Sequence, residues 1–296
     1  MLDSVTTPIT GGGYYGPVAN IDITSHKFLW VVMVIMGVSS VGLYLLGLRR
    51  PVGQRAFHEL AAAITFTACM SYFAMASDYG SYPVPVEYIR GGSLGKKWVK
   101  AGVLHPTRSV WYARYIDWTF TTPLLLLELA LATGLPLPKI FNLIFLDIAM
   151  IVTGLIGALV PTGYKWVWFG FGCFALVGIW WILLVHARAS VSSLGSEYSK
   201  AFTTSAVILS GLWLLYPIAW GLADGANAIT PNSEMYFYGV LDVLAKPVYC
   251  FVHVLAIEKL DWSRLGWTSG KRSDGASLLG GNRDANYGST DNAGRS

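Results

Sequence analysis

Long apolar stretches separated by short polar connections recur seven times along the chain. Each stretch has about 20 residues or more, and a helix of that length spans the roughly 30 Å of hydrocarbon in a bilayer. The pattern therefore predicts an all-α membrane protein, with a bundle of seven transmembrane helices within residues 26–262. The predicted helices are roughly Phe28–Leu48, Phe57–Ser77, Ser109–Thr133, Lys139–Val160, Trp166–His186, Ala201–Leu222 and Met235–Leu260.

The segments on either side of this bundle have a different composition. Residues 1–25 are rich in Gly, Thr and Tyr, and we predict an irregular extracellular segment there. Residues 263–296 are rich in Gly, Ser and Asn with few apolar side chains, which is typical of a flexible tail, predicted to be cytoplasmic. No signal-peptide pattern opens the chain, so we expect the first apolar helix to act as its own insertion signal.

Basic residues set the predicted orientation. Arg49, Arg50 and Arg55 follow the first helix, and the positive-inside bias places that loop in the cytoplasm and the N-terminus outside. The connection between the second and third helices departs from this bias, because it is predicted to be external. Its basic residues are Arg90, Lys96, Lys97, Lys100 and Arg108.

That connection is also about 28 residues long, so we expect it to have structure of its own. Residues 86–90 and 97–100 alternate apolar and polar side chains, and Gly91 and Gly92 lie between them. Such a pattern is compatible with a β-hairpin in the loop between helices two and three.

Composition supports the membrane assignment. Of the 296 residues, 54% are hydrophobic and 13% are charged, and the mean hydropathy is +0.49. Soluble domains average about 25% charged residues. The net charge is only +4, and the basic residues form no continuous stripe along the sequence. We therefore expect a lipid bilayer, and no nucleic acid, as partner. Three scattered cysteines predict neither a disulfide framework nor a metal site.

The most informative single residue is Lys246, near the middle of the last apolar stretch. Asp242 lies four residues earlier, so the two side chains share one face of a helix. A charge near the membrane midplane is costly and therefore indicates a functional site. Two interpretations are open: a buried Lys–Asp pair that fixes helix register, or a desolvated amine that binds a carbonyl compound as a Schiff base.

The third predicted helix holds three ionisable residues, Arg114, Asp117 and Glu128. Arg114 and Asp117 are three positions apart and can meet on one face. Asp117 and Glu128 are eleven positions apart, close to three turns, so they face the same way with about 16 Å of rise between them. Two carboxylates in this arrangement are typical of a proton relay. The alternative is that Glu128 extends to the interface at the end of the helix.

These residues carry a resemblance. The run RYIDWTFTTP from Arg114 to Pro123, together with LDVLAK ending at Lys246, resembles the microbial rhodopsins. The phrases YARYIDW and GLADG are most similar to the fungal branch and its bacteriorhodopsin-like proton pumps. The resemblance covers about residues 25–262. It implies all-trans retinal bound to Lys246 as a protonated Schiff base, with light-driven isomerisation to the 13-cis form.

The resemblance also implies roles for the charged residues. Asp117 matches the counterion and primary proton acceptor, and Asp242 matches the second counterion. Arg114 matches the arginine between that pair and the extracellular exit. Glu128 lies where pumps keep an acidic proton donor, which is often aspartate rather than glutamate.

A further set of residues matches the chromophore pocket of the family. The tyrosines beside the counterions are Tyr72 and Tyr216, and the threonines beside the acceptor and the chromophore are Thr121 and Thr122. The walls of the slot are Trp118, Trp213, Pro217 and Trp220. Other pocket positions, where ordinary packing is the alternative, are Met150, Gly154, Phe169 and Gly172.

Three more acidic residues match the family less strongly. Asp147 matches an aspartate of helix four that pairs with the position of Thr122, and we predict that it is protonated and structural. Glu234 matches one extracellular proton-release glutamate. Asp224 lies near the second but is offset by one position, and a solvated loop carboxylate is the interpretation we favour for it.

Two positions depart from the family pattern. Ala61 stands where several pumps have a threonine that bonds the proton donor, so the partner of Glu128 is open. Pro247 directly follows the lysine. Because proline lacks an N–H and leaves an upstream carbonyl free, we predict a π-bulge or kink at this point.

The sequence therefore predicts a light-driven outward proton pump in the plasma membrane, a transporter rather than an enzyme, which can form homo-oligomers. The alternative is a retinal-based photosensor with a similar photocycle. Glu128 together with Asp117 favours the pump, since sensors often have a non-carboxylic residue at the donor position. A chloride or sodium pump is disfavoured because Asp117 and Thr121 keep the proton-pump pattern.

Overall fold

Seven helices dominate the computed structural model, which describes residues 5–6, 18–51, 54–86 and 106–260. The predicted all-α bundle is confirmed within these ranges. The helices are α1 Ile23–Leu48, α2 Ala56–Ala76, α3 Tyr112–Leu131, α4 Leu137–Leu159, α5 Lys165–Ser192, α6 Ser196–Gly225 and α7 Pro231–Ile257.

The helices form a closed ring. Each helix packs against the next one in the chain, and α7 packs against α1. Six of them are long and apolar enough to cross a bilayer. The remaining helix, α3, has 20 residues and carries the three charges that lower its hydropathy. Large apolar side chains point outward from the ring, as Phe174 does with 79% of its surface exposed, so the outer face suits lipid.

Short strands cover one end of the bundle. They are β1 Val5–Thr6, β2 Val18–Ala19, β3 Tyr82–Pro85 and β4 Thr107–Val110. The sheet order is β1-β2-β4-β3; β2 runs parallel to β4, and the other two pairs are antiparallel.

An antiparallel pair, β3 with β4, therefore does lie in the loop between α2 and α3. Of the strands predicted at 86–90 and 97–100, residue 86 follows the end of β3, and residues 87–90 and 97–100 lie outside the described residues. Two boundary predictions were wrong. Residues 109 and 110 belong to β4 rather than to α3, and the segment 1–25 contains β2 and the start of α1. Helix α1 begins at Ile23, before the predicted Phe28, because the Asp22 carboxylate caps it by accepting a hydrogen bond of 2.8 Å from the Ser25 N–H.

Three of the helices contain a π-helical turn. The turn Leu244–Val248 in α7 includes Lys246 and Pro247, and it confirms the distortion predicted from the proline. The other two turns, Ile182–Ala187 in α5 and Gly221–Gly225 at the end of α6, were not predicted. Each π turn inserts one residue and rotates the side chains that follow it.

The two ends of the bundle differ, and we name them by their residues. The sheet end carries β2 to β4 and the N-termini of α1, α3 and α7. The Arg50 end carries the opposite termini, where Arg50 Nε donates a hydrogen bond to Glu258 Oε1 at 2.8 Å. By the positive-inside prediction, the sheet end is extracellular.

Candidate functional site

Lys246 lies at the centre of the bundle with two carboxylates beside it. Its Nζ is 2.5 Å from Asp117 Oδ2 and 3.2 Å from Asp242 Oδ1. All three residues are at most 2% exposed. The spacing of four residues brings Asp242 onto the face of Lys246, while α3 supplies Asp117 from across the ring. The buried ammonium is thus compensated by two anions, as a charge in low dielectric requires.

The two carboxylates have different environments. Both oxygens of Asp242 accept tyrosine hydroxyl bonds of 2.7 Å, from Tyr72 to Oδ2 and from Tyr216 to Oδ1. Asp117 Oδ1 has no hydrogen-bond partner among the described residues. The hydroxyl of Thr121 donates to the backbone carbonyl of Asp117 at 2.9 Å rather than to its carboxylate. Asp242 is therefore saturated by hydrogen bonds, whereas Asp117 keeps a free oxygen that can take a proton.

An apolar cavity extends from Lys246 into the bundle. It encloses about 750 Å³, including the space at its open side. Most of the predicted pocket residues line it: Trp118, Thr122, Met150, Gly154, Phe169, Gly172, Trp213, Tyr216, Pro217 and Trp220. Thr121 and Tyr72 lie outside the lining; Tyr72 bonds the Asp242 carboxylate, and Thr121 bonds the backbone carbonyl of Asp117.

Aromatic rings fix the shape of this cavity. Phe169 stacks on Trp220 at 4.8 Å between ring centroids, and Trp118 meets the edge of Tyr216 at 5.3 Å. The indole N–H of Trp220 donates to the Gly154 carbonyl at 3.1 Å, which holds that ring in place. A slot with flat apolar walls and a buried amine at its end fits a conjugated apolar aldehyde bound through Lys246.

Asp147 pairs with Thr122, as the resemblance implies. Thr122 Oγ1 lies 2.7 Å from Asp147 Oδ2 and 2.7 Å from the Trp118 carbonyl oxygen. A hydroxyl has one hydrogen and a carbonyl can only accept, so both contacts are satisfied when the Asp147 carboxyl donates. The geometry thus favours a protonated Asp147.

Glu128 is buried in a mostly apolar cluster near the Arg50 end. It has no exposed surface, and neither carboxyl oxygen has a hydrogen-bond partner among the described residues. The cluster around it includes Leu125 and Leu129 of the same helix. The cluster also includes Ala61, the position where the sequence departs from the family pattern. The interfacial alternative for Glu128 is therefore wrong, and a carboxyl group without partners in such a place is stable only in its neutral form.

At the sheet end, Glu234 lies between two arginines. Its Oε2 is 2.5 Å from Arg108 Nη2, and its Oε1 is 2.7 Å from Arg114 Nη1. The guanidinium of Arg114 also lies over the Tyr238 ring, 4.0 Å from the centroid. Arg114 thus faces Glu234, and no ion pair joins it to Asp117 within the described ranges.

The interpretation of Asp224 as a solvated loop carboxylate is wrong. Asp224 is 6% exposed and accepts a hydrogen bond of 2.9 Å from the Tyr115 hydroxyl. Lys165 Nζ donates to its backbone carbonyl at 3.0 Å. The reason is the π turn at the end of α6, because its extra residue brings position 224 inside the bundle.

Sequence reasoning missed several residues of the site. Tyr238 and Tyr115 line the cavity, and Arg108 holds Glu234. Tyr238 could have been found, since it lies four residues before Asp242 and shares its helical face. Arg108 gave no such signal, because it precedes α3 in a connection whose path the sequence does not specify.

Comparison with known proteins identifies the family. A family model described as bacteriorhodopsin-like protein matches residues 24–260. The opsin-like protein carO of Fusarium fujikuroi is 42% identical over 247 residues, which is 83% of this chain and 78% of that protein. The fungal relative supports the branch that the sequence motifs resemble.

Solved structures agree with this result. The light-driven proton pump of Leptosphaeria maculans is 34% identical, with a TM-score of 0.76 over 84% of this chain and 99% of that one. The light-driven proton pump of Coccomyxa subellipsoidea is 32% identical, with a TM-score of 0.73 over 80% and 99%. Proteins of this family are light-driven transporters that carry retinal, and are not enzymes. The chain belongs to the bacteriorhodopsin-like family, as a microbial rhodopsin of the fungal type.

Proposed function

We propose that this protein is a light-driven outward proton pump that binds all-trans retinal covalently at Lys246. The observation that carries the proposal is the buried Lys246 Nζ at the end of an apolar cavity, 2.5 Å from a carboxylate with a free oxygen. When bound, retinal supplies visible-light absorption and an isomerisation to the 13-cis form that redirects the N–H bond at Lys246 Nζ.

Asp117 is the proton acceptor in this proposal. Its Oδ2 lies at hydrogen-bond distance from Nζ, and its other oxygen is free. Asp242 is the fixed counterion, because its two tyrosine hydrogen bonds stabilise the charged form through the cycle. Arg114 lies between this pair and the sheet end, where its guanidinium pairs with Glu234.

Glu128 is the proton donor that reloads Lys246 Nζ. A carboxyl group buried in an apolar cluster holds its proton at neutral pH, which a donor needs in the dark. Asp117 lies beside Lys246 Nζ, and Glu128 lies eleven residues further along α3 towards the Arg50 end, which is about 16 Å of rise. Protons would enter at the Arg50 end past Glu128 and leave at the sheet end past Asp117.

The direction follows from the predicted topology. Arg49, Arg50 and Arg55 place the Arg50 end in the cytoplasm, so the proposed transport is outward. The plasma membrane is the location that suits such a pump. The outward apolar surface of the ring is compatible with homo-oligomers in the bilayer.

Light-induced pH change in cells tests the function. We expect illumination to acidify the medium, a protonophore to abolish the signal, and Lys246→Ala to show none. A coloured protein that gives no pH change under any light condition would contradict pumping and favour a photosensor.

A further inference from the structure

The carboxylate of Glu234 is held by two guanidinium groups, one on each oxygen. Arg108, Arg114 and Glu234 are each at most 2% exposed, so bulk water screens the three charges only weakly. The ionisable neighbours that face Glu234 are Asp224 on α6 and Tyr238 on α7. Two cations on one buried anion strongly favour its charged form, because protonation would leave both cations without a partner at that site.

Three hydrogen bonds hold the Arg108 guanidinium in place beside Glu234. Its Nη1 donates to Asn227 Oδ1 at 2.9 Å and to the Ile229 carbonyl at 2.6 Å, while its Nη2 faces Glu234. Its backbone lies in β4, between β2 and β3. The sheet thus fixes one end of the side chain, and the connection between α6 and α7 fixes the other.

The same arrangement orients Arg114. One end of its guanidinium donates to Glu234, the other contacts the Met235 sulfur at 3.1 Å, and the plane lies over Tyr238. If Glu234 lost its charge, Arg114 would lose the anion that holds it towards the sheet end. Its next anion along α3 is Asp117, three residues away.

We propose that Glu234 is a fixed anion rather than a proton carrier, and that Arg108 is the positioning residue that keeps it so. The matching position in the family suggested proton release; the second arginine, from β4, argues against that role here. The proton taken by Asp117 then leaves without passing through the Glu234 carboxyl. The link to transport rests on the proposed pump function, whereas the charge state of Glu234 does not.

Infrared spectroscopy of the full-length protein with retinal, in the dark at mildly acidic pH, tests the charge state directly. We expect no protonated-carboxyl band from Glu234 in the wild type, and one additional band in Arg108→Gln. The double variant Arg108→Gln with Glu234→Gln should lack that band. In this double variant the summed charge at positions 108, 114 and 234 is +1, as in the wild type, so the protein should fold. Arg108→Lys, which retains the positive charge, should also lack the band.

The same proteins are then illuminated with a pH-sensitive dye in the medium. We expect the double variant to release its proton at the same time as the wild type. An additional, earlier release component should appear in Arg108→Gln and should be absent from the double variant. Arg50→Gln, which breaks an Arg–Glu pair at the opposite end, is the control and should leave the release time unchanged.

Two results would overturn the inference. One is a Glu234 band already present in the wild type; the other is an Arg108→Gln protein with wild-type spectra and release times. If instead no protein moved protons in the light, the pump function would fail, and the dark spectra would still decide the charge state of Glu234.

Discussion

The two halves of the bundle on either side of Lys246 are built differently. Towards the sheet end, the buried charges are paired. Lys246 pairs with Asp117 and Asp242, and Glu234 pairs with Arg108 and Arg114. Towards the Arg50 end, the cavity gives way to an apolar cluster in which Glu128 is buried without a partner. One half contains two groups of paired buried charges, and the other contains a buried carboxyl group without a side-chain partner among the described residues.

This difference has a physical basis and a functional consequence. Buried ions are stable when they are paired and hydrogen-bonded, as in the sheet half, whereas a single buried acid is stable when neutral. A proton on Asp117 therefore has polar groups ahead of it, and a proton on Glu128 is separated from water. The asymmetry gives the proposed transport its direction.

The largest expected effect comes from removing the junction between the halves. Lys246→Ala deletes the amine that would bind retinal, so protein supplied with all-trans retinal should have no covalent visible chromophore. Absorption spectra after denaturation in acid measure this. A covalent chromophore that persisted in the variant would refute the assignment of Lys246.

Asp117→Asn breaks the sheet half at its first carboxylate. Asp117 lies beside Lys246 Nζ and stabilises positive charge there. With retinal bound, light absorption would move that charge away from Nζ, so loss of the anion should shift absorption to the red. Transport should be abolished, because the variant would lack the proposed proton acceptor. Acidifying the wild type should give the same red shift. An unshifted spectrum in the variant would identify Asp242 as the dominant counterion.

In the Arg50 half, Glu128→Gln removes the carboxyl group that would donate the proton and keeps the shape of the side chain. The interval during which Lys246 Nζ lacks its proton should lengthen by on the order of 10²-fold, since a positioned general acid contributes at least that much. The interval should also become pH-dependent, and azide should shorten it by carrying protons from bulk water. Flash spectroscopy measures it. An unchanged interval would remove Glu128 from the relay and favour the photosensor.

The smallest effect should come from Ser205→Ala, also in the Arg50 half. The Ser205 hydroxyl lies 2.8 Å from Nδ1 of the buried His253, and its loss leaves that nitrogen unpaired at a cost of about 1–3 kcal/mol. We expect a lower unfolding temperature with an unchanged visible spectrum. Thermal unfolding followed by absorbance tests this, with Thr67→Ala as control, because the Thr67 hydroxyl bonds an exposed carbonyl on its own helix. A shifted spectrum would mean that the two halves are coupled.

The sequence by itself determined the features that depend on nearby residues. Apolar length specified the helices, the spacing of four joined Asp242 to Lys246, and Pro247 indicated the π turn beside the lysine. These follow from helical periodicity, from the cost of burying charge, and from the missing N–H of proline.

Only the tertiary structure decided the features that depend on distant residues. Arg108 meets Glu234 across 126 positions, and Tyr115 meets Asp224 across 109. The first contact depends on the path of β4 and the second on the π turn that ends α6, and no local pattern specifies either of them. Glu234 could therefore be recognised as an acidic residue of the site from the sequence, but its second arginine could not. The charge that a buried carboxyl group carries is set by the groups that the fold brings to it.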